Sequence, residues 1–136
     1  MKTLGSLVLG ALLMIALPGC NLAERYHENN AATAQWIAAN AGTPSINISG
    51  KWHSDDWGDA VLTQKGNRVT GYIGKYPVGG SIKGNTVFLA LTDDGWTYYT
   101  AIVELTWQKN LEGSYSDSVP FAPEDRSPFQ LTRAGL

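Results

Sequence analysis

From about Ile48 onward the chain alternates apolar and polar residues with a period of two, the spacing that places every second side chain on one face of a β-strand. The runs are "ISGKWH", "DAVLTQK", "RVTGYIG", "GGSIKG", "TVFLALT", "WTYYTAIVELTW", "LEGSYS" and "PFQLTR". Between them stand Gly66-Asn67, Gly84-Asn85, Asp94-Gly95 and Lys109-Asn110, pairs suited to tight hairpins. The alternation predicts an inward face of Ile48, Trp52, Ala60, Leu62, Val69, Gly71, Ile73, Ile82, Val87, Leu89 and Leu91. It continues through Tyr99, Ala101, Val103, Leu105, Trp107, Leu111, Gly113, Tyr115, Phe129 and Leu131. About eight short strands joined by hairpins give an all-β, antiparallel up-and-down meander. Such a sheet removes its exposed edges best by closing into a barrel. Gly71 and Gly113 interrupt their strands at equivalent places, "VTGYI" and "LEGSY", where a glycine permits sharp coiling.

The pattern is different before residue 48. Leu4 to Leu17 is uncharged and apolar, preceded by Lys2, and too short for the roughly 20 residues that span a bilayer. A basic start, a short apolar run and a small-residue exit predict an export signal over residues 1–19. From residue 20 to 47 the chain reads as a tether. A short helix is expected from Ala31 to Ala41, with Gly42 as C-cap and Pro44 as stop. The β-domain then occupies 48–136.

The end of the apolar run, Leu17-Pro18-Gly19-Cys20, holds the only cysteine and resembles the lipobox of bacterial lipoproteins. That resemblance implies acylation of Cys20 and cleavage just before it, so that Cys20 becomes the first residue of the mature chain. Several acyl chains, each buried methylene contributing about 0.8 kcal/mol, anchor a protein almost permanently. Asn21, where inner-membrane lipoproteins tend to carry Asp, implies an outer-membrane address facing the periplasm. With Cys20 lipidated, one chain can form no internal disulfide and must be stable by packing. A second resemblance lies in "ISGKWHSDDWGDAVLTQKGNRVTGYIG", similar to the opening of avidin-like and lipocalin-like barrels through Gly50-x-Trp52 and Thr70-Gly71-Tyr72. It implies a barrel.

Composition adds the rest. Gly (15), Trp (5) and Tyr (6) are plentiful, which favours β-structure. The scattered basic residues and slightly acidic balance exclude nucleic acid as a partner. No nucleophile, acid–base set or cofactor motif is legible, so an enzyme is not expected, nor a cofactor. "HSDDWGD" places His53 beside Asp55, Asp56 and Asp59, but no distal ligand completes a metal set, and the loop reads as a solvated hairpin. The candidate functional residues are aromatic. Trp96, Tyr98, Tyr72 and Phe88 fall on outward positions and form either a partner surface or a face covered by Trp36, Ile37 and the tether. Trp57, with Tyr76 and Trp96, marks a loop end able to stack on a sugar or peptide. Phe121 lies in "SDSVPFAPEDRSP", the longest non-periodic stretch, either as a functional loop or as a plug across the barrel end. The expected function is a lipid-anchored envelope module that binds a protein. The alternatives are an inhibitor of a hydrolase inserting the 116–128 loop, and a carrier of a small apolar ligand or glycan in a cavity lined by Trp52, Tyr99, Trp107 and Tyr115.

Overall fold

The computed structural model describes residues 23–135; the signal segment, Cys20 and Asn21 lie outside them. A helix over residues 23–39, α1, precedes eight strands. These are β1 (Gly50–Ser54), β2 (Gly58–Lys65), β3 (Arg68–Ile73), β4 (Tyr76–Lys83), β5 (Thr86–Asp93), β6 (Trp96–Leu105), β7 (Leu111–Ser116) and β8 (Ser127–Arg133). They form a closed antiparallel barrel in strict chain order, β8 returning to β1. Hairpins at Gly66-Asn67, Gly84-Asn85 and Asp94-Gly95 turn where the sequence places them, and Gly74-Lys75 adds one more. In the Asp94-Gly95 turn both residues take positive φ, 51° and 78°. That is the backbone a tight β-hairpin demands.

The inward face matches the alternation over most of its length. Ile48, Trp52, Leu62, Ile73, Ile82, Leu89, Leu91, Val103, Leu111 and Leu131 are buried in one continuous core. An eight-stranded barrel is just wide enough for its side chains to fill, and this one is filled. A Cβ at Gly71 would run into the Val61 carbonyl, and one at Gly113 into that of Ile102. Both glycines therefore let neighbouring strands pinch together.

Trp107 departs from the expectation. β6 ends at Leu105, and residues 106–110 close on themselves through Thr106 N–H to the Asn110 carbonyl (2.8 Å) and Lys109 N–H to the Thr106 carbonyl (2.9 Å). Trp107 rides this turn and is 87% exposed. Alternation holds only as far as the strand that enforces it, and β6 ends two residues short of Trp107. Trp107 therefore does not share an interior cavity with Trp52.

The helix also departs. It starts near residue 23 rather than 31 and gives way at Asn40, whose side-chain N–H donates to the Trp36 carbonyl (2.8 Å). Gly42 does not cap it; its N–H instead joins the β4 end at the Ile82 carbonyl (3.0 Å). The early turns are polar and lack an apolar stripe. They are held by tertiary contacts: Tyr26 against Trp96, and Asn29 and Thr33 against Thr97. Among the described residues, no helix is long and apolar enough to cross a membrane.

One end of the barrel is laced shut. Residues 42–48 cross it, bonded to Gly84 and Ile82 backbone and to the Gln64 and Asn67 side chains. Ile46 and Ile48 close the floor. Trp52 donates from its indole N–H to the Ile48 carbonyl (2.9 Å), and the Arg133 guanidinium lies 4.1 Å over its ring. Trp52→Ala is expected to cost about 3–5 kcal/mol, the range for a large buried aromatic. Trp107→Ala should stay within about 0.5 kcal/mol, as exposed substitutions do. Urea midpoints of the two variants test this, and equal losses would place Trp107 inside after all.

Candidate functional site

The opposite end is built differently. It carries the β1–β2, β3–β4, β5–β6 and β7–β8 connections, and we call it the mouth. Ser54, buried at the end of β1, accepts the backbone N–H of Asp56 (3.3 Å) and Trp57 (3.2 Å). This folds the short β1–β2 connection inward and lays the Trp57 indole against the top of the core. Tyr76 opens β4, Tyr99 stands on β6, Tyr115 on β7 and Phe129 on β8, each near the mouth end of its strand. Trp57 meets all of them: Tyr115 at 5.0 Å, Tyr99 at 5.1 Å, Phe129 at 5.5 Å and Tyr76 at 5.8 Å between ring centroids. Most of these rings meet steeply, Trp57 with Tyr115 at 85° and Tyr76 with Tyr99 at 85°. Edge-to-face packing of this kind adds roughly 0.5–1.5 kcal/mol per pair beyond area burial.

Above the rings is an open depression of about 580 Å³, walled by Trp57, Tyr76 and Tyr115 and rimmed by Asp56, Lys75, Ser127 and Pro128. The Lys75 ammonium sits 5.2 Å above the Tyr76 ring. Desolvation among the rings pushes the Tyr99 phenol above its ordinary pKa, and the neighbouring Tyr76 hydroxyl adds to this. The Tyr99 phenol is therefore a neutral hydrogen-bonding group at physiological pH.

Charge is divided between the two ends. The mouth connections and adjoining strand ends carry Asp55, Asp56, Asp59, Asp93, Asp94 and Asp117 against Lys75, while Pro123 and Arg126 of the β7–β8 connection lie on the outer wall beside Glu104 and Glu112. The laced end carries Lys51, Lys65, Arg68, Lys83, Lys109 and Arg133 against Glu104 and Glu112. The strand ends and turns of the barrel thus divide their charge along its axis, acidic toward the mouth and basic toward the laced end.

The aromatic residues singled out from sequence scatter. Of these, Trp57 joins the ring cluster at the mouth, as its stopper. Phe88 is 8% exposed because Trp36 of α1 packs edge-on against it at 5.8 Å. Trp96, at the mouth end of β6, is half-buried against Tyr26 at 6.3 Å. Tyr72 and Tyr98 are exposed, but β3 and β6 are separated by β4 and β5, and α1 covers part of the wall between them. The expected single aromatic face on the outer wall is therefore not present; the helix uses it.

Phe121 does not plug the barrel. The β7–β8 connection folds back over the outer wall, where Phe121 lies half-buried in a cleft beside Ile102 and Gly113. Thr100 donates to the Ser118 carbonyl (2.8 Å), and Ser116 Oγ accepts from Ser118 and Ala122 N–H, which fixes the loop down. It is not the protruding insertion that an inhibitor loop requires. Sequence reasoning brings Tyr99 and Tyr115 forward only as lining of the carrier's interior cavity, and Phe129 only as core. The signal that could have found them is their position as the inward aromatics nearest the odd-numbered turns.

Comparison with protein-family models, curated proteins and solved structures finds no match for this chain.

On the outer side of the same hairpin, His53 Nδ1 lies 2.8 Å from Asp59 Oδ1, and Nε2 lies 3.4 Å from Asp55 Oδ1. The hydrogen bond to Asp59 is the leading cause that raises the imidazole pKa above its ordinary 6.5. A cation favoured in the folded state stabilises fully below the unfolded pKa and less as pH rises through the folded one. The His53 ring signals should therefore titrate with a midpoint above 6.5. Asp59→Asn should return that midpoint toward the ordinary value, and Asp55→Asn should move it less. NMR titration reads both, and an unshifted wild-type midpoint would contradict the pairing.

Proposed function

We propose that this protein is a lipid-anchored lipoprotein of the cell envelope, held by acyl chains on Cys20 in the outer membrane and facing the periplasm. Its barrel acts by binding another protein, without a catalytic step. The observation that carries this reading is the ring-walled depression at the mouth, the one barrel end that is not laced shut. Partly exposed aromatic rings with a polar rim are the ordinary chemistry of a binding hot spot, where Trp and Tyr are enriched. A filled interior argues against a carrier that encloses its ligand.

The helix adds an orientation. Tyr26 and Asn29, early in α1, pack at the mouth end against Trp96 and Thr97. The few residues from Cys20 to Ala23 reach at most about 11 Å. An anchor on Cys20 therefore attaches at the same end as the mouth, and the partner is one that works at the membrane surface.

Two measurements test the reading. Cys20→Ser should abolish fatty-acid labelling and release the chain from membranes; unchanged labelling would remove the anchor. A photo-crosslinking amino acid in place of Asp56 should trap a protein partner in intact cells, whereas one in place of Trp107 should not. A partner trapped at 107 alone would move the binding surface to the opposite end of the barrel.

A further inference from the structure

We infer that the partner protein adds an extended strand of its own to the free edge of β8, where the seam opens toward the mouth. This rests on the mouth being the binding end and specifies how a partner chain enters it. The observation behind it is a strand that outruns its neighbour in a sheet otherwise closed.

β8 pairs with β7 from Leu131 to Ser127, but with β1 at Arg133 and Thr132 alone. Five residues of β8 therefore continue toward the mouth with no strand on their β1 side. Along an antiparallel strand, the main-chain groups of successive residues turn to opposite edges. The Ala134 N–H donates to the Lys51 carbonyl (3.0 Å), so the even-numbered residues of β8 face β1 and the odd-numbered ones face β7. The N–H and carbonyl of Gln130 and the carbonyl of Pro128 thus point along the open edge, and both residues are exposed. Among the described residues, none of these three groups has a main-chain partner. Where other strands outrun a neighbour, the fold covers the end itself. Gln64 of β2 donates its N–H to Ser49 Oγ (2.8 Å), and the Pro77 carbonyl of β4 accepts from Thr92 Oγ1 (3.1 Å).

Two depressions lie along the open edge. One, of about 140 Å³, separates Gln130 and Thr132 from Asp55 and Asp56; the other is the mouth depression, which Ser127 and Pro128 rim. A row of unpaired main-chain donors and acceptors is matched by another extended backbone, which is how a strand adds to a sheet. Residues opposite one another across a strand pair share a face. A partner side chain opposite the buried Phe129 points inward with it, toward the rings that Phe129 meets, Trp57 at 5.5 Å and Tyr115 at 6.2 Å. The segment therefore carries apolar or aromatic residues at alternate positions. Pro128 has no N–H to give, as edge positions tolerate, and bonds through its carbonyl alone. A second barrel pairing edge to edge would bring its own Asp55 and Asp56 against those already beside the slot, a like-charge clash that a single extended segment avoids.

The test uses the full chain in a neutral detergent. The probe is an acetylated and amidated heptapeptide that alternates threonine with valine and carries phenylalanine at its centre. It should slow hydrogen exchange at the Gln130 amide and shift the Trp57 indole signal. Two further probes, N-methylated on one or the other alternate set of amides, should separate, one binding like the parent and one losing both effects. Gln130→Pro, checked for an unchanged melt, should bind about tenfold more weakly, because it removes the N–H donor of the open edge. Both methylated probes binding like the parent would overturn strand addition while leaving the mouth as the binding end. Protection of the Gln130 amide by higher protein concentration, without probe, would overturn the partner segment in favour of a second copy. A probe that moves neither the Gln130 amide nor the Trp57 indole would overturn the β8 edge as a docking strand, and crosslinking at position 56 reads the mouth independently.

Discussion

The structure depends on closing a small sheet on itself with very little overlap. β1 meets β8 through only the pairs Trp52–Arg133 and His53–Thr132, the shortest seam in the barrel. Main-chain pairing of that length is weak, and side chains make up the difference. Trp52 fills the interior just inside the seam, its indole N–H tied to Ile48. Arg133 stacks across it from β8 and donates to the Ser49 and Asn47 carbonyls (2.8 and 3.0 Å). One aromatic and one guanidinium thus join the first strand, the last strand and the incoming linker. A stacked guanidinium with several bonded N–H groups does this where a lysine could not.

Closure dictates where function can reside. An eight-stranded circumference leaves an interior that side chains fill, so a ligand has to meet the barrel at an end or on the outer wall. The laced end is occupied by its own linker. The outer wall over β4, β5 and β6 is occupied by α1, with Trp36 on Phe88 and the Ser81 hydroxyl on the Ile37 carbonyl (2.7 Å). The mouth is the end that keeps both aromatic faces and a concave shape.

The helix is fastened by geometry as much as by apolar area. β6 carries an irregularity opposite Leu91 and Thr92, where Tyr98 is the extra residue and stands out 47% exposed. A bulge frees neighbouring backbone groups. The Asn29 side chain meets them as an extra strand would: its oxygen accepts the Thr97 N–H (2.9 Å) and its amide donates to the Thr97 carbonyl (3.2 Å). A short polar helix with a thin apolar stripe is thereby given a single docked position.

The sequence by itself determined the strands, most of the turns and nearly all of the core. Those features come from period-two alternation and from glycine, signals that act between residues a few positions apart. It also held the Leu17–Cys20 motif on which the proposed membrane address rests. It did not determine which outward aromatics are free. Phe88 and Tyr98 look alike in a strand pattern, and only the docking of residues 23–39 buries one and leaves the other in water. It misplaced Trp107, because alternation has no meaning once the partner strand ends. Nor did it show the mouth as a site, since Trp57, Tyr76 and Tyr115 lie far apart along the chain and meet only when the barrel closes. The division of charge was present in the residues all along. It became a field with a direction only when up-and-down topology sent alternate turns to opposite ends, which is a property of the closed sheet and of no segment within it.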